Sequence, residues 1–407
     1  MPTLFGPSFK ANPYPTYAWL RDHAPAHSHT NRHGVTTWYI TRYDDCLAVL
    51  RDHRRFVKDY RNALPSAERG ALPAMPPLLR LISNHILNMD EPDHTRLRVL
   101  INDAFTVAMV EALAPRLQQI ADDLLDRVND RGEMDLIEDF AFPFPIIVIA
   151  ELLGIPPEDR ARFRRWSSAI VAPTADTART LRKLEKSRRT MEDFIDYLRA
   201  ICAQRRAEPR DDLLTSLLQV EADGDRLREE ELFSMVLLLI VVGHETSVNL
   251  IGNGMLALLE DGGAYRELQS DASIMPLAVE ELVRYANPVE RAPMRFAAEP
   301  VTLHGREMAR GDSVSVVLAA ANRDPRQFVA PDRLDLTRSP NRHLGFGMGI
   351  HYCLGAPLAR LEGRIAFTTL LRRLPGLQLA ATVESLRWHT HPIMRGLRHL
   401  PVTWSRG

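Results

Sequence analysis

The sequence predicts one large, mainly helical unit. Most apolar stretches repeat with helical rather than alternating period, residues 229–259 form one long helical candidate, and no Gly/Ser tract, charge block or repeat divides the 407 residues. Hydrophobic residues make up 45% of the chain, enough for a sizeable buried core, and a single domain over residues 1–407 is the simplest reading. A formal net charge of −1 gives no global field for nucleic acid or an anionic membrane. Cys46, Cys202 and Cys353 are too few, and odd in number, for a disulfide framework, which points to a reducing cytoplasm; Cys46 and Cys202 read as buried small apolar residues. Met1-Pro2-Thr3-Leu4-Phe5-Gly6-Pro7 has neither the basic nor the apolar part of a leader. The longest strongly apolar stretch, residues 232–243, is interrupted by His244 and Glu245 short of the ~20 residues of a membrane span. The expectation is a cytoplasmic protein without a membrane anchor.

Asp93-His94-Thr95-Arg96-Leu97-Arg98 sets His94 and Arg98 at i, i+4 on one helical face, a pattern that a solvated basic helix shares. Residues 229–259 begin with Glu229, Glu230 and Glu231, where the helix macrodipole favours acids. The middle, residues 235–242, is apolar on every face and so lies inside the protein. Gly243-His244-Glu245-Thr246-Ser247 is unfavourable in that setting unless it is hydrogen-bonded or works on something. Thr246 can bond back to the carbonyl four residues earlier and Gly243 removes a side chain from a groove, so a distorted turn able to hold water is expected. An ordinary kink with an internally satisfied Glu245 is the plain alternative. Glu281 and Arg284 share a helix face at i, i+3; such a pair, if exposed, is worth less than ~1 kcal/mol. Met294-Arg295-Phe296-Ala297 reads as a strand.

Phe346-Gly347-Met348-Gly349-Ile350-His351-Tyr352-Cys353-Leu354-Gly355 carries the most chemistry. Three glycines let the backbone turn tightly and bring amide N–H groups to the Cys353 sulfur, an approach that alanine would block. The helix-forming residues from Ala356 onward put the sulfur near a helix N-terminus, which favours the thiolate, so its proton should be lost easily. A phosphate loop would end in Lys-Ser/Thr. A protease nucleophile normally meets its base from a distant segment, whereas His351 is two positions away. Structural zinc needs four ligands, and no second Cys/His cluster is suitably spaced. Haem iron needs only one axial ligand from this side, and a thiolate there favours O–O cleavage.

The loop resembles that of the cytochrome P450 family, the haem-thiolate monooxygenases. Phe346, Gly349, Cys353 and Gly355 fill the pattern Phe-x-x-Gly-x-x-x-Cys-x-Gly, and Gly347 and His351 complete its fuller form. The resemblance runs from Asn12-Pro13-Tyr14-Pro15 to Arg395-Gly396-Leu397 and suits the soluble bacterial type. It implies a triangular helical prism with a small β region, enclosing haem b (iron protoporphyrin IX) between the helix of Thr246 and the loop of Cys353. Cys353 is then the iron ligand, and Phe346 lies in the haem site. His94, Arg98, Arg295 and His351 hold the propionates, with Arg291 a rival for the place of Arg295.

Val242-Gly243-His244-Glu245-Thr246 corresponds to the family's Ala-Gly-x-Glu/Asp-Thr. This implies that Thr246 orients a water and Glu245 relays protons, with Val242 adding bulk in place of alanine. Glu281 and Arg284 correspond to Glu-x-x-Arg, with Arg333 as third member of a buried charge network. By analogy of position, Ile86, Leu87, Leu238, Val242, Val289, Ala292, Met294 and Ile393 line the substrate pocket, with residues 61–85 and 169–183 covering it.

The function implied is insertion of one oxygen atom from O2 into a lipophilic small molecule by hydroxylation or epoxidation, with a polyketide or terpenoid of secondary metabolism the leading substrate class. Neither a dinucleotide fingerprint nor spaced cysteines occur, so electrons are expected from a separate ferredoxin or flavodoxin with its reductase. Arg96, Arg342, Arg360 and Arg364 are candidates for its docking patch, in a chain with 47 arginines and four lysines. A peroxide-driven enzyme and a non-catalytic haem ligand- or gas-binding protein are the alternatives; only the oxygenase needs Glu245 and Thr246.

Overall fold

A computed structural model describes residues 4–31, 34–70, 80–81, 83–170, 177–222 and 224–405. The long helix, Glu229–Glu260, begins with three acids, and Glu231 closes its first turn by accepting the Arg228 backbone N–H at 2.9 Å. It packs against Pro143–Leu152, Met275–Ala286 and Ala356–Arg373. The apolar faces of these helices merge in one large core that also takes in Ala114–Asp126 and the C-terminal Trp404. By length and composition Glu229–Glu260 would suffice to cross a membrane, contrary to the sequence expectation, because the helix runs on through His244 and Glu245. Neighbouring helices, not lipid, cover most of its apolar surface.

The β structure is small. One sheet has the spatial order Ala26–Thr30, Thr36–Ile40, Ser313–Val316, Arg295–Ala297, Phe56–Val57. Thr36–Ile40 runs antiparallel to Ala26–Thr30 and parallel to Ser313–Val316, while Arg295–Ala297 and Phe56–Val57 pair antiparallel with Val57 opposite Phe296. A second sheet joins Gln378–Leu379, Pro401–Thr403 and Glu133–Asp135. The mainly helical class with a small β region agrees with the sequence.

Glu281 and Arg284 are both fully buried on Met275–Ala286, and Arg284 donates from Nε and Nη2 to the Glu281 carboxylate at 2.7 Å each. The third member of the network is Arg338, not Arg333. Arg338 Nε lies 3.1 Å from Glu281 Oε2, and Asn341 and the Asp335 N–H also donate to this carboxylate. Arg333 contributes its backbone carbonyl, which accepts from Arg284 and from Arg338, while its side chain is exposed. Arg338 satisfies a buried acid that the nearer arginine, turned to solvent, does not reach.

Candidate haem and substrate site

The cysteine loop is shaped by its backbone. Gly347 and Gly349 have φ of 72° and 77°, where an L side chain is strained, and a Cβ on Gly349 would lie 2.5 Å from the Leu50 carbonyl oxygen. The Cys353 N–H donates to Phe346 O at 2.9 Å and closes the loop. Gly355 has an ordinary φ of −81°, and its N–H bonds the Cys353 sulfur as expected. Helix Ala356–Arg373 follows at once.

Burial pushes the Cys353 thiol up, and the Gly355 and Ala356 N–H groups, Arg98 and Arg360 offset this only in part. The easily lost proton expected from the helix end is therefore not a property of the protein alone. Coordination to a metal deprotonates a thiol outright. Phe346 carries the Arg360 guanidinium over its ring at 4.4 Å, and Arg360 pairs with Glu280 at 2.6 Å.

Helix Asp93–Ala104 brings His94 and Arg98 to the loop. Arg98 Nη1 donates to Tyr352 O at 3.0 Å, and the His94 and His351 rings meet edge to face at 4.3 Å. Among the described residues, His94 Nδ1 and Nε2 and His351 Nε2 are buried without hydrogen-bond partners. Burial and then Arg98 hold the His94 pKa down to about 4; burial, followed by His94, Lys58, Arg295 and Arg98, holds His351 down to about 2. Arg295, 3% exposed, belongs to this group, with burial lowering its pKa to about 10. Its rival Arg291 donates to Leu4 O and stacks on Phe5, Phe9 and Tyr39, away from the loop. One thiol beside arginines with no carboxylate partner and imidazoles with no acceptor among the described residues suits a metal macrocycle bearing carboxylates. Among the described residues no His/Cys/Asp/Glu cluster offers a competing metal site.

Leu238, Val242, Glu245 and Thr246 lie at i, i+4, i+7 and i+8 on Glu229–Glu260 and are only partly buried, unlike most of that helix, so this face borders accessible space. The small core of Ile86, Leu97, Ile101 and Met235 is packed by both Leu238 and Leu354, tying this helix to the residue beside Cys353. Thr246 Oγ1 donates to Val242 O at 2.6 Å as expected, within a helix that runs from Glu229 to Glu260. Gly243 makes room for Ile149, whose Cδ1 would lie 3.1 Å from an added Cβ, and so serves helix packing instead of opening a groove. His244 Nε2 is 3.0 Å from Phe142 O.

Leu87, Val289 and Ile393 are partly buried and Met294 is 39% exposed, as suits residues beside an opening. Ile86 and Ala292 depart from the expectation. Each is 5% exposed and belongs to a packed core, Ala292 with its N–H bonded to Val316 O inside the sheet region. Of the two covering segments, residues 71–79, 82 and 171–176 lie outside the described residues.

The docking patch is largely neutralised. Arg96 pairs with Asp225 and Glu231, Arg360 with Glu280, and Arg364 with Glu111; Arg342 alone of the four has no ion pair among the described residues.

Sequence reasoning missed Glu362, which is fully buried and accepts the Ser247 hydroxyl one residue beyond Thr246. Its place nine residues after Cys353 carries no local signal. Burial pushes its pKa up to about 8, from an ordinary value of 4.5. Unfolding therefore releases a proton between these values: the contribution to stability is full below about 4.5 and is lost as pH rises through about 8. Glu362→Gln should flatten the fall in urea midpoint across that window; an unchanged slope would show that this carboxyl is not its source.

Comparison with known proteins agrees with this geometry. The family model "Cytochrome P450" matches residues 162–375. The chain is 40% identical to 6-deoxyerythronolide B hydroxylase of Saccharopolyspora erythraea, covering 99% of this chain and 98% of that one. The solved structure of the bacillaene polyketide synthase cytochrome P450 PksS of Bacillus subtilis superposes with a TM-score of 0.91 at 41% identity, covering all of both chains. Myxobacterial cytochrome P450 CYP267B1, in complex with myristic acid, superposes with a TM-score of 0.89 at 45% identity and 99% coverage of each.

Proposed function

This chain belongs to the cytochrome P450 family, whose members are haem b monooxygenases, and on that premise we propose that it oxidises a polyketide-type lipophilic substrate held over Glu229–Glu260. Haem b, when bound, supplies reductive activation of dioxygen, so that one oxygen atom enters the substrate and the other leaves as water. Cys353, whose N–H bonds Phe346 O, would be the ligand to iron, and His94, Arg98, Arg295 and His351 would hold the propionates. Glu245 passes protons toward Thr246, whose hydroxyl oxygen can still accept from a water while its hydrogen is engaged by Val242 O.

The observation that carries this reading is the partly open stripe in which apolar Leu238 and Val242 run directly into Glu245 and Thr246. A substrate lying along it is anchored by apolar contact, as Leu87, Val289, Met294 and Ile393 also favour, and meets the proton-handling pair at one end. The names of the two polyketide-related relatives support the substrate class. Electrons come from a separate ferredoxin or flavodoxin with its reductase. We place the protein in the cytoplasm as a single domain.

Spectral-shift titration tests the substrate class: a macrolactone should displace the iron-bound water at lower concentration than a fatty acid, and the reverse order overturns it. With that substrate, Thr246→Ala should lower product formation by about 10²-fold while reductant consumption continues and hydrogen peroxide accumulates. Unchanged coupling of electrons to product would remove Thr246 from proton handling.

A further inference from the structure

We propose that Lys58 is a further haem-anchoring residue: with Arg295 it forms a cationic clamp for a propionate, beside His94, Arg98 and His351. Lys58 is one of four lysines in a chain with 47 arginines, and it is 6% exposed. Among the described residues its ammonium has one hydrogen-bond acceptor, Met294 O at 2.6 Å, and no carboxylate partner. The Arg295 guanidinium is no better supplied, donating to Pro293 O at 3.3 Å.

The sheet edge brings these two cations near each other. Phe56 lies opposite Ala297 and Val57 opposite Phe296; Lys58 follows in the bend just beyond the strand, where its ammonium bonds the carbonyl of Met294, the neighbour of Arg295. Like charges buried close together are destabilising, and more so when neither has a carboxylate in hydrogen-bond contact. Asp90 is the one acid that acts on both by charge, but its oxygens accept from the N–H groups of Lys58 and Asp59 and from the Asn62 side chain at 2.7, 3.0 and 2.8 Å and bond neither cationic head. Burial and then Arg295 hold the Lys58 pKa well below its ordinary value, and Asp90 offsets this only in part. An arrangement so poor in anions is completed by a carboxylate from outside the chain. Haem b brings two, and the cations come from two places: the helix and cysteine loop, and the edge of the sheet.

The proposal rests on haem binding, and its test separates the two. For purified holoenzyme, Lys58→Met should transfer haem to excess apomyoglobin about ten- to a hundredfold faster than wild type, the range of one charge-assisted hydrogen bond, while Lys58→Arg stays near wild type. Haem dimethyl ester has no carboxylate charge, so apoproteins reconstituted with it should show no difference between wild type and Lys58→Met. The Lys58→Met apoprotein, relieved of an unpaired buried charge, should melt no lower than wild type, which keeps misfolding distinct from lost anchoring. Equal transfer rates with natural haem, or the same acceleration with the dimethyl ester, would overturn the clamp. A wild-type protein that takes up no haem would instead overturn the cofactor assignment beneath it.

Discussion

Cys353→Ser is expected to abolish the red-shifted Soret band of the ferrous carbonyl complex and to lower product formation to background. The loop closes through the residue 353 N–H on Phe346 O and through Gly347 and Gly349, none of which depends on the side chain at 353. The substitution therefore removes the sulfur and leaves its support in place. A hydroxyl in this buried position is a far weaker ligand, because the features that partly offset the cost of a buried thiolate, the Gly355 and Ala356 N–H groups with Arg98 and Arg360, do not bring a serine hydroxyl near ionisation. The spectrum of the purified variant decides the matter directly. Retention of the red-shifted band would show that the thiolate comes from elsewhere, and Cys46 and Cys202, both buried, would be the residues to examine.

Arg284→Ala should have the largest effect on folding. It leaves Glu281 with only part of its partners in a fully buried site and frees the carbonyls of Asn322, Pro331 and Arg333 from their shared donor. Breaking a buried pair by removing one side costs about 3–5 kcal/mol, a large share of the roughly 5–15 kcal/mol that holds a typical domain together. The yield of haem-loaded protein should fall severalfold and the urea midpoint should drop with it. Arg333→Ala provides the contrast: its side chain is exposed and only its carbonyl joins the network, so stability should change by less than about 0.5 kcal/mol. Equal damage from the two substitutions would contradict the assignment of Arg338 as the third charged member.

Local patterns were legible where the chemistry lies within a few consecutive residues. The cysteine loop, the i, i+4 pair His94 and Arg98, the acidic start of Glu229–Glu260 and the back-bond from Thr246 all follow from spacing along the chain. The errors share one character. Arg333 and Arg338 are both arginines downstream of Arg284, and the backbone turn between them decides which one points inward. Ile86 and Ala292 are apolar residues near the right elements, yet packing takes them into the core, while Val289 and Met294 remain partly open. Gly243 looked like a gap for a ligand and is filled by Ile149 from another helix.

By itself the sequence determined the family, the mainly helical class and the sulfur proposed to hold iron, because a loop around one candidate ligand and a buried helix are encoded in adjacent residues. Only the tertiary structure decided which cations share a site: Arg295, with Lys58 near it, and not Arg291 by the cysteine loop, and Arg338 and not Arg333 on Glu281. Charge and burial act through space, and in a chain with 47 arginines the order of residues does not say which guanidinium is left facing a space without an acid.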